Sequence, residues 1–344
     1  MARLLRPIGV SLDVFAVEGV FRDVGTLDCL PASVGTGRLD GEAAIPHDAV
    51  LIVGPWNTAS PREAARARIR GIPVTYAPRG GLSRIEFQRK RDMKKLPYLA
   101  AVESICLVAA NSVLFSSQLE RSRTVPLAGL AHGVVLPDPF VPSWPVTSDI
   151  GPAGRRCQRV GFLGEISPRK AFREVVDAFM LLASRPGPEL QLVVGGRPRP
   201  GSESYFDHAL ASASPGAVRW VGPVAPADRA DFYRSVDLLI VPSKFESFGL
   251  VVAEALSCGR PVLVSSSVGI LEHMPDSPAV QRLERVTASA IAAAVARCVA
   301  EWDRVTSNVP RAQQAVLSDL GGAHLAQAYA NLLLHPRERE HSAC

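Results

Sequence analysis

Residues 242–262 read Pro242-Ser243-Lys244-Phe245-Glu246-Ser247-Phe248-Gly249-Leu250-Val251-Val252-Ala253-Glu254-Ala255-Leu256-Ser257-Cys258-Gly259-Arg260-Pro261-Val262. An apolar run, Leu238 to Val241, precedes this stretch, and Pro261 to Val264 begins another at its end. Short Val/Ile/Leu runs on either side of a helical segment predict a strand, a loop, a helix and a second strand. Two strands joined through a helix lie parallel, and repetition of that unit builds a sheet covered by helices.

The alternation continues outward in both directions. Strands are expected at Arg159–Leu163, Leu190–Val194, Ala217–Val221, Leu238–Val241 and Pro261–Val264, with helices between them. In the first half, strands are expected at Val50–Val53 and Pro73–Tyr76, with helices at Pro61–Arg70 and about Glu86–Ala110. Within residues 1–48 only Ile8–Phe15 reads as a strand. The stretch Pro137–Arg156, with five prolines and two glycines, reads as a connection. The expected organisation is a domain over 1–150, a second over 151–335 and a tail, 336–344.

A length of 344 residues, with 47% hydrophobic and 21% charged residues, suits two globular cores. Thirty-eight Lys and Arg against thirty-three Asp and Glu give a net charge of +5, weaker than the basic stripe of a dedicated nucleic-acid binder. Cys29, Cys106, Cys157, Cys258, Cys298 and Cys344 form no Cys-x-x-Cys pair and lack His at zinc spacing, so reduced thiols in a cytoplasmic protein are expected. Asp13 interrupts the N-terminal apolar stretch before it takes signal-peptide form. The apolar segment Leu99–Phe115 contains Glu103 and Asn111 and falls short of the roughly 20 apolar residues of a spanning helix. Gly35-Thr36-Gly37-Arg38-Leu39-Asp40-Gly41 mimics a dinucleotide fingerprint, but its third glycine comes one place late.

In a parallel α/β sheet, ligands bind beyond the carboxyl ends of the strands, which directs attention to the loops there. Glu246 lies in such a loop and Glu254 about one turn into the next helix. Gly249 lets a ligand come close to the helix start, where the backbone N–H groups of Phe248–Leu250 and the helix dipole favour an anion such as a diphosphate. A carboxylate before the helix can accept hydrogen bonds from sugar hydroxyls, and one inside its first turns can hold a ribose diol.

With these residues in place, the run P-S-x-x-E-x-F-G-L-x-x-x-E-A-x-x-C-G-x-P-V resembles the donor-site signature of the retaining glycosyltransferases of family 4, the glycosyl transferases group 1. The resemblance implies an α/β, GT-B fold: two Rossmann-like doubly wound parallel-sheet domains facing a cleft. It further implies that Glu246 contacts the donor sugar, that Glu254 contacts the ribose, and that Phe248, Gly249 and Leu250 lie beside the phosphates. A second block, Val160–Lys170, resembles the strand-loop-helix in which an Arg and a Lys clamp the diphosphate. Lys170 falls on the Lys position and Gly164 in the loop, while Glu165 stands where the Arg is usual. Arg169, or Arg197 after Gly195-Gly196, is then the substitute cation. Trp220 resembles a strand position beside the nucleotide base, and Ala312–Leu334 the C-terminal helix that returns to the first domain. In the first domain, Gly54-Pro55-Trp56 and Pro78-Arg79-Gly80-Gly81 resemble the family's Pro-Arg-Gly or Pro-His-Gly segment; many relatives carry His where this chain has Arg79. Arg79 and Gly80 are the expected acceptor or phosphate side.

The expectation is a metal-independent hexosyltransferase that moves a sugar from a nucleoside diphosphate sugar to a hydroxyl of a glycan or lipid-linked glycan, with retention. Lys170 and Glu246 are the expected catalytic pair, and no cofactor or metal is implied beyond the donor substrate. Glu165 and Arg79, both departures from the pattern, keep open a catalytically degenerate GT-B protein that binds a nucleotide, lipid carrier or partner enzyme. Other GT-B enzymes, a phosphorylase or a sugar-nucleotide epimerase, also stay open. Basic residues crowd 62–95, from Arg62 to Lys95, and read either as a solvated face or as a surface for anionic lipid on the inner face of the membrane. Aromatic residues do not interleave with this run, which argues against nucleic acid.

Overall fold

A computed structural model describes residues 1, 5–9, 14–15, 34–35, 48–55, 59–87, 95–126, 132–147 and 156–335. Two compact units result, one of Met1–Val141 with Leu320–Cys344 and the other of Pro142–Asp319.

The first unit holds β1 (Val14–Phe15) paired in parallel with β2 (Val34–Gly35), and a four-stranded parallel sheet of β3 (Val50–Val53), β4 (Val74–Ala77), β5 (Ser112–Phe115) and β6 (Gly133–Val135), in that order. Helices α1 (Ala59–Ile69), α2 (Lys95–Tyr98), α3 (Ser104–Ala109) and α4 (Gln118–Arg123) complete it on the amino-terminal side. Ala64 and Ala67 of α1 join Cys106, Leu107 and Ala109 of α3 in one buried cluster with Val74 and Tyr76. The single long helix expected over 86–110 is interrupted. Pro97 has no N–H to donate, and a π turn follows at Leu99–Glu103, where Ser104 N–H reaches back to Leu99 O. The strands at 112–115 and 133–135 were not expected. The first adjoins the apolar segment from Leu99, and periodicity does not separate a buried helix from a buried strand.

The second unit carries β7 (Arg159–Leu163), β8 (Gln191–Gly195), β9 (Val218–Gly222), β10 (Leu238–Val241), β11 (Val262–Ser265) and β12 (Val280–Leu283). Their order is β12-β11-β10-β7-β8-β9, with every pairing parallel. The five expected strands are present, the outer ones shifted by one residue, and β12 is a sixth. Between and after them run α5 (Phe172–Ala183), α6 (Glu203–Ala211), α7 (Arg229–Ser235), α8 (Val251–Ser257), α9 (Ala288–Ala300), α10 (Trp302–Ser307) and α11 (Val309–Gly321). Phe172, Val175, Val176 and Phe179 of α5 follow the spacing of one helix face and are buried in the core with Val160, Phe162, Leu192 and Ile240. The order reverses direction between β7 and β10, and that reversal is the crevice at which doubly wound sheets hold ligands.

The composition set the division near residue 150. In the structure Pro142–Thr147 sits with the second unit, because Trp144 Nε1–H donates to Ser257 Oγ (3.0 Å) and Thr147 N–H to Ser257 O (3.2 Å). The last helix, α12 (Ala323–Leu334), sits with the first. Its Leu325, Ala326, Tyr329, Leu332 and Leu333 are buried with Leu5, Ala77 and Leu114. Most of residues 1–48, Trp56, the fingerprint mimic from Thr36 onward, Arg89, Lys90, Arg91, Lys94 and the tail lie outside the described residues. Cys106, Cys157, Cys258 and Cys298 are free, buried thiols.

Candidate functional site

The loops leaving β7 and β10 flank the reversal in strand order, and both quoted sequence blocks are these loops. Lys244 N–H donates to Arg169 O at 2.8 Å and ties them together, while bonds from Glu246 N–H to Ser267 O at 3.0 Å and from Gly269 N–H to Glu246 O at 3.1 Å tie the second to the loop after β11. A rigid frame therefore presents the side chains.

Lys170 and Arg169 converge on Glu246. Lys170 Nζ donates to Glu246 Oε2, Ser243 Oγ donates to the same oxygen at 3.3 Å, and Arg169 Nη1 stands 3.8 Å away while donating to Phe245 O at 3.1 Å. The Glu246 and Lys170 side chains are 18% and 15% exposed. Burial alone would raise the Glu246 pKa; the charges of Lys170 and then Arg169 outweigh it and hold the carboxyl below its ordinary range. The constellation is an ionised carboxylate with two cations at the mouth of the crevice. Glu165 is exposed and Arg197 likewise, in the loop after β8.

Glu254 lies on the fourth residue of α8, 7% exposed. Arg229 Nη1 donates to its Oε1 at 2.8 Å and Tyr233 OH to its Oε2 at 2.6 Å. Burial, and then the facing carboxylate, push the Tyr233 phenol well above its ordinary range, so it serves as donor. Neither Arg229 nor Tyr233 was singled out from the sequence. Their spacing of four on a short helix before β10 was the available signal, since such residues share a helix face.

The start of α8 has no side-chain cap, with Leu250 at the cap position. Phe248 is buried and its ring lies 5.8 Å from His273. Gly249 is required twice over: its φ is +101°, and a Cβ there would stand 2.6 Å from Val268 Cγ1. The strand-end loops after β7 and β8 are seamed together just as closely. Gly164 N–H donates to Gly195 O (3.0 Å) and Ile166 N–H to Arg197 O (2.9 Å), while Gly196 N–H reaches Gly222 O at the end of β9 (2.8 Å). Trp220 is 44% exposed and its indole N–H donates to Gly196 O at 2.9 Å, so it fixes the loop beside Gly164.

In the first unit, the turn after β4 carries Arg79 at φ +51°. Glu120, fully buried, accepts from Gly80 N–H (2.5 Å) and from Ser116 N–H and Oγ (2.7 Å each). Arg79 pairs with Asp138, and Tyr329 OH donates to Pro137 O at 3.0 Å. The Arg79 charge is thus met by a carboxylate within its own unit. Among the described residues no group of three or more His, Cys, Asp and Glu is gathered as a metal would need, and no helix is long and apolar enough to cross a membrane.

Residues 157–301, from two positions before β7 to the residue after α9, match the family model described as Glycosyl transferases group 1. Over 120 residues the chain is 40% identical to the D-inositol 3-phosphate glycosyltransferase of Gordonia bronchialis, a match covering 32% of this chain and 26% of that protein. Over 126 residues it is 32% identical to the mannosylfructose-phosphate synthase of Agrobacterium fabrum, covering 33% and 28%. The matched region thus spans about a quarter of the length of these curated relatives. Among solved structures, Anabaena HepE in complex with UDP and glucose superposes with a TM-score of 0.65 at 19% identity, over 82% of this chain and 76% of that one. Sucrose-phosphate synthase from Thermosynechococcus elongatus gives 0.60 at 20% identity, over 82% and 72%. At such identities the likeness speaks for the fold, which is GT-B: two parallel-sheet α/β domains, the second of which contains the whole group 1 match.

Proposed function

We propose that the protein is a retaining glycosyltransferase that takes a hexose from a nucleoside diphosphate sugar and places it on a hydroxyl of a glycan or lipid-linked glycan. The carrying observation is the convergence of Lys170 and Arg169, after β7, on Glu246, after β10, at the sheet's reversal point. In the reaction the bond from the anomeric carbon to the diphosphate oxygen breaks. The acceptor oxygen bonds to the same face of that carbon, and its hydroxyl proton passes to the departing diphosphate oxygen. Lys170, Arg169 and the N–H groups of Gly249 and Leu250 meet the charge growing on the departing diphosphate. Glu246 accepts hydrogen bonds from the sugar hydroxyls and Glu254 from the ribose, with Gly164 and Phe248 shaping the loops between them. The cations supply the charge that a metal would otherwise supply, and activity is assigned to a metal-independent site. The second unit takes the donor, and the first, through the turn at Arg79 and Gly80, the acceptor. A UDP-type donor is supported by the solved structure of Anabaena HepE, which is in complex with UDP and glucose.

The test is release of nucleoside diphosphate from a panel of sugar nucleotides, with EDTA present. Turnover that disappears in Glu246→Gln supports the reading. Nucleotide binding without turnover for any sugar would instead favour the degenerate GT-B protein.

A membrane-facing role for the first unit has its own support. Arg62 and Arg68 are exposed on α1, Arg70 is exposed just after it, and Ile69 is 85% exposed. On the neighbouring α3, Val108 is 64% and Ile105 41% exposed. Basic and apolar side chains on adjoining helices suit an anionic phospholipid surface, where each cation contributes about 1 kcal/mol. Co-sedimentation with phosphatidylglycerol vesicles is expected at low salt, weakened by salt and by Ile69→Glu; absence of binding at low salt removes the proposal.

A further inference from the structure

The Glu254 carboxylate is held from both sides by one helix. Arg229 and Tyr233, four residues apart on α7, address Oε1 at 2.8 Å and Oε2 at 2.6 Å. A carboxylate offers about four lone-pair positions, so each oxygen retains one acceptor site after these two bonds. The support behind the pair is firm. Tyr233 is fully buried, with Phe232 at 6.0 Å and Trp144 at 6.5 Å between ring centroids. Trp144 donates to Ser257 Oγ, which donates in turn to Glu254 O at 2.7 Å. The Gln313 amide donates to Leu256 O (2.9 Å) and Ser257 O (3.2 Å), closing off the end of α8. Side-chain and backbone partners therefore fix where the carboxylate points, and the exposed part of this cluster is Arg229, 38% exposed against 9% for the Glu254 side chain.

We infer that Arg229 and Tyr233 are positioning residues that orient Glu254 to accept one hydrogen bond from each hydroxyl of a vicinal diol, so that the site selects ribonucleotides over 2′-deoxyribonucleotides. This rests on the donor-site reading above. A ribose presents its 2′ and 3′ hydroxyls side by side, as the two free acceptor sites require. A 2′-deoxyribose leaves one acceptor position of a nearly buried carboxylate oxygen unfilled, and although that oxygen keeps its Arg229 or Tyr233 donor, the lost hydrogen bond to a charged group lowers affinity. Residues without donors at these two positions would leave the Glu254 carboxylate free to rotate. With Arg229 and Tyr233 in place, the cost of orienting it is met during folding rather than during binding.

The experiment compares dissociation constants of UDP and 2′-deoxy-UDP by titration calorimetry for the full chain and for Tyr233→Phe and Arg229→Gln, with ADP and GDP in parallel. The wild type is expected to prefer the ribonucleotide about tenfold or more. Tyr233→Phe, which removes one hydroxyl and keeps the ring packing, is expected to bring the preference to within about threefold, chiefly by weakening the ribonucleotide. In turnover it should raise KM for the sugar nucleotide with kcat little changed. A wild-type preference left intact in both variants, with only melting temperature lowered, assigns the cluster to folding and overturns the inference alone. Equal binding of the ribo and deoxy forms by the wild type does the same. Binding of neither by the wild type overturns the donor-site reading as well, which separates the two failures.

Discussion

Lys170→Met is expected to lower nucleotide-sugar turnover by about 10²- to 10³-fold, the usual effect of removing one group aimed at developing negative charge. Lys170 serves two anions in this account: Glu246 in the free protein and the departing diphosphate in the reaction. Nucleotide affinity should fall less than turnover, because Arg169 remains 3.8 Å from Glu246 and the start of α8 is untouched. The variant also has a signature in pH. In the wild type Glu246 titrates below its ordinary value of 4.5. A depressed carboxyl pKa adds stability that is present above the unfolded value and is lost as pH falls through the folded value. Without Lys170 the burial that raises this pKa is opposed only by Arg169 and the weaker Ser243 hydrogen bond. The acid loss of stability should then begin at higher pH, visible as a melting temperature that drops earlier between about pH 6 and 3. Lys244 is the control: its ammonium pairs with Glu174 at 2.5 Å and is 47% exposed, and Lys244→Met should leave turnover close to wild type. Equal loss in both variants would mean that general charge, not the Glu246 contact, governs the activity.

Gly196→Ala is expected to be the most damaging small substitution in the second unit. The residue has φ +131°, a conformation L side chains rarely adopt, and an added Cβ would stand 1.9 Å from Gly164 O, a backbone atom with no room to yield. The seam between the loops after β7 and β8 must then open. A loss of about 3 kcal/mol or more follows from the strain and the broken backbone bonds together. For a unit of this size that corresponds to a fall in melting temperature of roughly 6–12 °C. Gly187→Ala is the matched comparison, because nothing lies within 4 Å of a Cβ there; its effect should stay within about 0.5 kcal/mol. Nucleotide binding should fall in Gly196→Ala and hold in Gly187→Ala, since only the first disturbs the loop that carries Gly164.

How much of this was legible follows from what each stretch of sequence encodes locally. The runs at 159–163 and 238–241 are the strands to the residue, because each is a short apolar block bounded by turn residues. Their following loops carried the chemistry, because strand order places them side by side once the sheet forms. The sequence read alone held Glu246 and Glu254 but not what surrounds them. The Lys170 contact spans 76 positions and the Tyr233 contact 21, and no local pattern reports either. The π turn at Leu99–Glu103, which interrupts the helix expected over 86–110, has no local signal, and Pro97 itself lies within α2. The return of α12 to the first unit was legible only through the resemblance of Ala312–Leu334: its apolar face would suit any sheet, and packing with Ala77 and Leu114 is what assigns it there. Arg79 was legible as a residue of the turn after a strand, but its ion pair with Asp138, 59 residues later, was not.

The most direct test of the donor site is the melting temperature of the wild-type chain with UDP, ADP or GDP at about 100 times the dissociation constant, a condition that adds about 2.7 kcal/mol of stability. The account predicts a rise of several degrees with one of these nucleotides, larger with its sugar conjugate than without, and largely lost in Glu254→Gln. No shift of the wild-type protein with any nucleoside diphosphate or nucleotide sugar up to millimolar concentration would contradict it.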